Sequence, residues 1–393
     1  MKFNKWTLGL AAVGVVSLAS AARADETKIS QVQTALSNTT ISGYVDTSVQ
    51  FNPNGSSGGT PNYYYNSAPN AINLNAVDIA IDKPMDESPW ASGYHVEFML
   101  GNQASTMGLP NNIRQAYIAL RTPVGNGIDW KVGLFDTIVG YESTTTYNNP
   151  NYSHSYGYNM EPTTHAGILG NYKATDWISC QFGIADASYA GSGAYSANPY
   201  AGSNQTAGLY HPTFMWGPTL TAPDSFGWAK GATLSIATII SGHNLDNNGG
   251  SDAGGQGART YYAGLTLPTP IAALKFGAAF DYLTACDVPD NSWDAALYST
   301  YQFNDKLSLN LRGEYLSAQP YQYAGAYDTV SDGYNQAYEL TATLQYALWA
   351  NVLTRLEFRW DHSNHDGAGV YTSNTGNSQS DAFMLAAQAV YQF

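Results

Sequence analysis

The chain has 393 residues and a formal net charge of −14, and only 12% of its residues are charged, against about a quarter in soluble domains. It is rich instead in tyrosine (30), tryptophan (9) and glycine (38), so its outward faces need not be charged and its backbone turns often. The acidic balance argues against nucleic acid as a partner.

The first 24 residues have the pattern of a cleaved secretory signal. Lys2 and Lys5 precede an apolar run over residues 6–18, and Ala22-Arg23-Ala24 has the small residues of a cleavage site. A cut after Ala21 and an uncleaved anchor helix are the alternatives, although about 13 apolar residues are too few to span a bilayer. The mature chain is expected to begin near Asp25. Residues 25–40 are polar and form either a short periplasmic segment or a small plug.

From residue 41 onward, apolar and polar residues alternate with a period of two. The pattern is clearest at residues 41–51, 94–100, 307–315, 334–348, 352–360 and 383–393. Soluble strands usually have about five or six residues, whereas strands that cross a membrane in a barrel need about 9–11. Several of these segments reach the greater length. Residues 41–393 therefore predict an all-β fold, a transmembrane antiparallel β-barrel of about 16 strands (14–18).

The connections between the predicted strands alternate between short and long. Turns rich in Pro, Asn, Asp or Gly occur at residues 83–90, 123–127, 174–176, 221–228, 268–270, 304–305 and 348–350. Mostly longer polar stretches lie between them, among them residues 101–111 and 141–162. Short periplasmic turns with long extracellular loops, and an even number of strands with both termini periplasmic, are typical of bacterial outer-membrane barrels. Trp130, Trp177, Trp228 and Trp349 stand near short turns, where they predict an aromatic girdle; ordinary core tryptophans are the alternative.

Charged residues fall on the face of the strands opposite the apolar residues, which predicts that they line the lumen. The candidates are Glu97, Arg312, Glu314, Glu339, Arg355, Glu357 and Arg359. Both signs are present, as in a pore with a transverse field, but electrostatic pairing between neighbouring strands accounts for them equally well. A barrel of about 16 strands is wide enough for an aqueous lumen, which favours transport.

The last strand ends on Tyr391, Gln392 and Phe393. This end resembles the terminal signature by which the barrel-assembly machinery recognises outer-membrane proteins. The opening segment Thr40–Asp46, and Val132–Phe135 followed by a loop rich in Tyr and Asn, resemble the OmpL-like β-barrel porin family over most of the mature chain. The resemblance implies a porin in the outer membrane of a Gram-negative cell, without indicating a particular solute.

The stretch 141–162 occupies the position at which trimeric porins resemble one another in folding a loop into the channel. Its candidate constriction residues are Tyr141, Glu142, His154, Tyr156, Tyr158 and Glu161. Its aromatic rings would offer a sliding surface for sugars; a solvent-exposed loop is the alternative. The resemblance to porins of this size also implies a homotrimer, and the net acidity suggests a mild preference for cations.

The expected function is passive diffusion of small hydrophilic solutes or ions, with outer-membrane lipids as surroundings. A barrel hydrolase, and a surface-structural or adhesive barrel without an open pore, are the alternatives. We predict no catalytic, cofactor-binding or metal residue. No histidine stands in a recognisable catalytic motif with a nucleophile. The acids and histidines at 361–366 lack further ligands to complete a metal site. Residues 246–252 lack the spacing of an EF-hand calcium loop. Export would permit a disulfide between Cys180 and Cys286, but the sequence alone does not establish one.

Overall fold

The computed structural model describes residues 38–53, 70–107, 109–185, 212–240, 258–285, 291–318, 335–364, 371–372 and 378–393. The proposed signal sequence, Cys286 and the segment 246–252 lie outside these ranges. Cys180 lies in a strand, and its thiol forms no disulfide with a described residue.

The strands follow one another along the chain in antiparallel order. They are β1 (Thr40–Phe51), β2 (Ala71–Lys83), β3 (Ser92–Leu100), β4 (Ile113–Thr122), β5 (Ile128–Asp136), β6 (Thr164–Lys173), β7 (Ile178–Ala185), β8 (Thr213–Thr221), β9 (Thr233–Ile240), β10 (Ala258–Pro268), β11 (Leu274–Ala285), β12 (Asn291–Gln302), β13 (Leu307–Ala318), β14 (Asn335–Trp349), β15 (Val352–Ser363), β16 (Tyr371–Thr372), β17 (Ser378–Gln379) and β18 (Asp381–Gln392). Two short helices, α1 (Asn102–Thr106) and α2 (Tyr156–Met160), lie in connections. Short 3-10 segments occur at Pro110–Asn112, Thr146–Asn148 and Asp224–Ala229.

Strands β1 to β15 and β18 close into one barrel, in which each strand pairs with its neighbours in the chain and β1 pairs with β18. The predicted count of 16 strands and the antiparallel barrel are confirmed. The small β16–β17 hairpin stands apart in the connection before β18. Each predicted short turn joins two neighbouring strands of the barrel. Within the described residues, no helix has the length and apolar character needed to cross a membrane.

The period of two decides which side chains face outward. On β13 Leu311 is 43% exposed, whereas its neighbour Arg312 is 1% exposed. The same contrast separates Phe358 from Arg359 on β15. The apolar residues therefore form the outer surface of the barrel, and the charged residues point inward.

Two β-bulges explain why the alternation is weak in parts of the sequence. Between β1 and β2 the register shifts after Asp46, so that Asn75 and Ala76 both face inward and are fully buried. Between β3 and β4 it shifts after Glu97, so that Arg114 and Gln115 are both buried. An extra residue on one strand interrupts the alternation of faces, which a strict period cannot anticipate.

Large aromatic side chains surround the short-turn end of the barrel. Trp177, Trp228 and Trp349 are exposed, which makes the alternative of core tryptophans wrong for them. Trp130 is partly buried, stands edge-on to Phe182 and donates its indole N–H to Thr122 Oγ1 at 2.9 Å. A ring of amphipathic side chains at one rim matches the girdle expected where a barrel meets the headgroups.

Candidate functional site

The connection between β5 and β6, residues 137–163, reaches the opposite wall of the barrel. The hydroxyl of Tyr156 donates to Asp361 Oδ1 on β15 at 2.6 Å, and the amide of Gly157 donates to Glu314 Oε1 on β13 at 3.1 Å. The hydroxyls of Tyr152 and Ser48 on β1 share a hydrogen bond of 2.9 Å. Because β13 and β15 lie across the barrel from β5 and β6, the connection crosses the interior. We call residues 137–163 the lumen loop.

Three arginines of β13 and β15 hold the backbone of the lumen loop. Arg312 donates to the carbonyl of Ser153 at 2.7 Å, and Arg359 donates to the carbonyl of His154 at 2.6 Å. Arg355 donates to the carbonyl oxygens of Thr146, at 3.2 Å, and Asn149. Since a charged donor strengthens a hydrogen bond, these contacts fix the course of the loop.

One carboxylate of the wall completes this arrangement. Glu357 accepts the backbone amides of Tyr152 at 2.5 Å and Ser153 at 2.9 Å, and the hydroxyl of Thr343 at 2.6 Å. Residue Glu339 binds Arg312 at 3.1 Å from the neighbouring strand β14. The inward charges therefore pair across strands, as one explanation of the sequence pattern expects, and they also anchor the loop.

Within the loop, Glu142 carries the charge that faces the arginines. Its Oε1 accepts from Arg312 Nη1 at 2.8 Å, and its Oε2 is 2.7 Å from His154 Nδ1. Burial would raise the pKa of Glu142, but the Arg312 guanidinium and the His154 hydrogen bond outweigh it and bring the pKa to about 2. Burial lowers the pKa of His154, whose ring stacks on Tyr158 at 3.8 Å. At neutral pH the Glu142 carboxylate is therefore ionised and accepts a hydrogen bond from the neutral imidazole of His154.

Helix α2 begins where Ser155 accepts the amide of Tyr158 at 3.0 Å, a short N-cap. Around it lie four carboxyl groups: Glu161 at the end of the loop, Asp281 on β11, Asp294 on β12 and Glu314 on β13, all buried. Neither carboxylate oxygen of Asp294 accepts a hydrogen bond from the described residues. Gly157 is placed so that a Cβ there would lie 2.7 Å from Asp281 Oδ2 and 2.9 Å from Asp294 Oδ1. A larger residue here would require both carboxyl groups to move.

A second connection also folds inward, which the sequence did not predict. Gln103 of α1 donates to the carbonyl of Thr144 in the lumen loop at 2.7 Å. Met107 and Leu109 join Tyr152 and Tyr158 in one buried apolar cluster against β1 and β18. Three apolar residues in the otherwise polar stretch 101–111, Ala104, Met107 and Leu109, were the available signal.

Glu97 belongs to a different part of the wall. It binds Arg114 Nη2 at 2.6 Å, Gln115 at 2.8 Å and His95 at 3.2 Å, while Arg114 also binds Asp136 at 2.6 Å. The structure thus separates Glu97 from the cluster on β13 to β15 that holds the lumen loop. Arg114 was missed because the bulge at that position hides its direction.

Phe393 adds to the pairing of β1 with β18 that closes the barrel. Phe393 donates its amide to the carbonyl of Gly43 at 3.0 Å, and Gly43 donates to the carbonyl of Phe393 at 3.0 Å. A Cβ at Gly43 would lie 2.8 Å from the Phe393 ring. Tyr391 is half exposed on the outer surface and pairs with Val45.

The described residues contain no group of three or more His, Cys, Asp or Glu arranged to hold a metal ion. His362 is 2.9 Å from Asp381 and partly exposed, and His365 lies outside the described ranges.

A closed antiparallel barrel of 16 strands with an apolar outer surface is the architecture of a transmembrane β-barrel of the outer membrane. The family model described as "Putative beta-barrel porin-2, OmpL-like" matches residues 38–393. The chain belongs to this porin family, and its family and fold place it in the outer membrane. A search of curated protein sequences finds no match.

Solved structures of porins share the fold at low sequence identity. OmpF of Salmonella typhi, in a complex with daunomycin, is 13% identical, with 90% of this chain and 97% of that chain covered and a TM-score of 0.60. The anion-selective porin of Comamonas acidovorans is 10% identical, with 90% and 99% covered and a TM-score of 0.57. OmpT of Vibrio cholerae in its trimer form is 12% identical, with 90% and 99% covered and a TM-score of 0.56.

Proposed function

We propose that the protein lets small hydrophilic solutes or ions diffuse passively across the outer membrane, through a lumen that the lumen loop narrows. The observation that carries this proposal is the anchoring of the loop by Arg312, Arg355, Arg359 and Glu357. A loop held by buried charges at mid-barrel limits the passage by size while the barrel wall stays intact.

Within this proposal the six candidate constriction residues divide into two groups. Tyr141 lines an interior cavity and is the candidate for contact with a passing solute. Glu142, His154, Tyr156, Tyr158 and Glu161 are buried among wall and loop residues, so we assign them the role of holding the loop. Arg312, Glu314, Glu339, Arg355, Glu357 and Arg359 line the lumen wall against which the loop is held.

We propose no enzymatic activity. A catalytic histidine needs an accessible ring within reach of substrate. The ring of His154 is instead enclosed between Glu142 and Tyr158 and helps to hold the loop.

Assembly is proposed to follow the course expected for outer-membrane barrels. The signal is removed after Ala24, and the barrel-assembly machinery recognises Tyr391 and Phe393 at the β1–β18 seam. Lipid covers the apolar outer surface. A homotrimer is proposed on the likeness to porins such as the trimeric form of OmpT.

Swelling of liposomes that contain the refolded protein tests the proposal. Neutral sugars of graded size should enter at rates that fall with size, and liposomes without protein should not swell. A folded, heat-modifiable barrel that admits no sugar would contradict passive diffusion and favour an adhesive or structural barrel. Hydrolysis of an ester or peptide by the same preparation would favour the enzyme alternative.

A further inference from the structure

A cavity of about 500 Å³ lies inside the barrel between the lumen loop and strands β9 to β14. Its wall residues, such as Thr266, Lys275, Gln302 and Ser308, stand near the strand ends that meet in short turns. The cavity therefore lies toward the periplasmic end of the lumen. Its volume is within the range of about 300–1,000 Å³ that small-molecule sites occupy.

The lining of this cavity combines aromatic rings with uncharged polar groups. Tyr141, Tyr147, Tyr262 and Tyr298 supply the rings, and hydroxyl and amide side chains supply most of the rest. Among the described lining residues Lys275 carries the one formal charge. An ionic solute would have little compensating charge here. A neutral solute with many hydroxyl groups would form hydrogen bonds with the hydroxyl and amide side chains of the lining.

Two glycines make room for the rings. Any Cβ at Gly277 would collide with the hydroxyl of Tyr141, and any Cβ at Gly264 would collide with the hydroxyl of Tyr262. The Tyr141 ring also stacks on Tyr298 at a centroid distance of 4.3 Å and an interplanar angle of 23°. The rings thus lie against the wall and leave the space beside them open.

One buried donor in the lining lacks an acceptor. Asn310 accepts the hydroxyl of Thr300 at 2.9 Å through its Oδ1, but its Nδ2 has no hydrogen-bond partner among the described residues. Asn310 is 2% exposed. A buried amide without a partner costs free energy that a ligand oxygen would recover.

We propose that this cavity binds a neutral saccharide. The apolar face of the sugar ring packs against the tyrosines, and a hydroxyl accepts from Asn310 Nδ2. Because the cavity lies in the lumen, neutral saccharides are the class of solute that we propose for passage. This inference rests on the proposed function.

Calorimetric titration of the folded, detergent-solubilised protein with maltose tests this site, with gluconate and glucosamine as charged comparators. Maltose should bind at millimolar concentrations. Tyr141→Leu and Asn310→Leu should each weaken its binding by about tenfold, the loss expected for one contact of this kind. The matched control is Tyr261→Leu, because Tyr261 adjoins Tyr262 in the chain but is exposed on the outer surface. It should bind as the unaltered protein does, and heat-modifiable mobility on gels should show that every variant is folded.

A folded protein that does not bind maltose, or one that prefers gluconate, would overturn the saccharide site. Loss of binding in Tyr261→Leu equal to that in Tyr141→Leu would also overturn it. The titration is independent of transport: maltose binding without swelling of liposomes contradicts only the proposed passage, and swelling without binding contradicts only this site.

Discussion

Arg312 of β13 donates from Nη1 to Oε1 of Glu142 at 2.8 Å, and the two residues are 170 positions apart in the chain. Both side chains are buried. The pair joins the lumen loop to the far wall of the barrel, and Arg312 also holds Glu339 and the carbonyl of Ser153.

Arg312→Gln should loosen the lumen loop. The change leaves Glu142 buried without its strongest counter-charge, and breaking a buried pair in this way costs about 3–5 kcal/mol. We expect larger and noisier single-channel currents in planar bilayers, together with a lower midpoint of thermal unfolding. Arg121→Gln is the matched control, because its pair with Asp129 is partly exposed at the end of the barrel and such pairs contribute about 0–1 kcal/mol. Equal effects of the two substitutions would contradict the anchoring role.

Alkaline pH should weaken the docking of the lumen loop. Burial, and after it the neighbouring Asp281 carboxylate, raises the pKa of Glu161 well above its usual range. The uncharged form of Glu161 therefore favours docking of the loop. Because its pKa is raised, this contribution is complete below the ordinary pKa of glutamate and is lost as the pH rises through the raised value. Asp281, Asp294, Glu314, Arg312 and Glu142 also face this region. Glu142 stays ionised throughout because its pKa is about 2.

Current noise recorded from about pH 5 to pH 10 measures this dependence, since the window opens at the ordinary pKa of glutamate, near 4.3. Noise should increase with pH in the unaltered protein and less so in Glu161→Gln, which keeps the uncharged form. Asp176→Asn is the control, since Asp176 is fully exposed in a short turn and its pKa is lowered by Lys173. A pH profile that Glu161→Gln leaves unchanged would show that Glu161 does not couple protons to the loop.

The barrel could be predicted from the sequence, but the contacts inside the barrel could not. Alternation over ten or more residues predicts which side chains of β13 point outward, because this pattern depends only on the local order of residues along the strand. The contact of Arg312 with Glu142 depends instead on the path of a loop through space, which no local period encodes. Arg114 escaped notice because a bulge reverses the faces there, and α1 because five helical residues give no period.

The lumen should favour cations modestly. Arg312, Arg355 and Arg359 are all engaged by carboxylates, amides or loop carbonyls, so they leave little positive charge to attract anions. A reversal potential measured across a roughly tenfold KCl gradient should show a higher permeability for K⁺ than for Cl⁻. A preference for Cl⁻ in the unaltered protein would contradict this expectation.

The seam between Gly43 and Phe393 should be sensitive to the terminal ring. Phe393→Ala keeps the two backbone hydrogen bonds but removes the side chain that packs over Gly43. We expect less folded protein in the outer membrane of cells, and a smaller loss on refolding in detergent, where no assembly machinery acts. Phe303→Ala is the control because Phe303 is an exposed phenylalanine beside another short turn. Equal yields from both variants in cells would argue against recognition of Phe393.

Single-channel conductance of the refolded, unaltered protein in a planar bilayer tests the central proposal most directly. Passive diffusion through a lumen narrowed by a docked loop predicts steady ohmic openings without added energy, at a level that rises when Arg312 is replaced by Gln. A correctly folded barrel that stays closed across applied voltages would contradict it, and would show that the lumen loop seals the barrel.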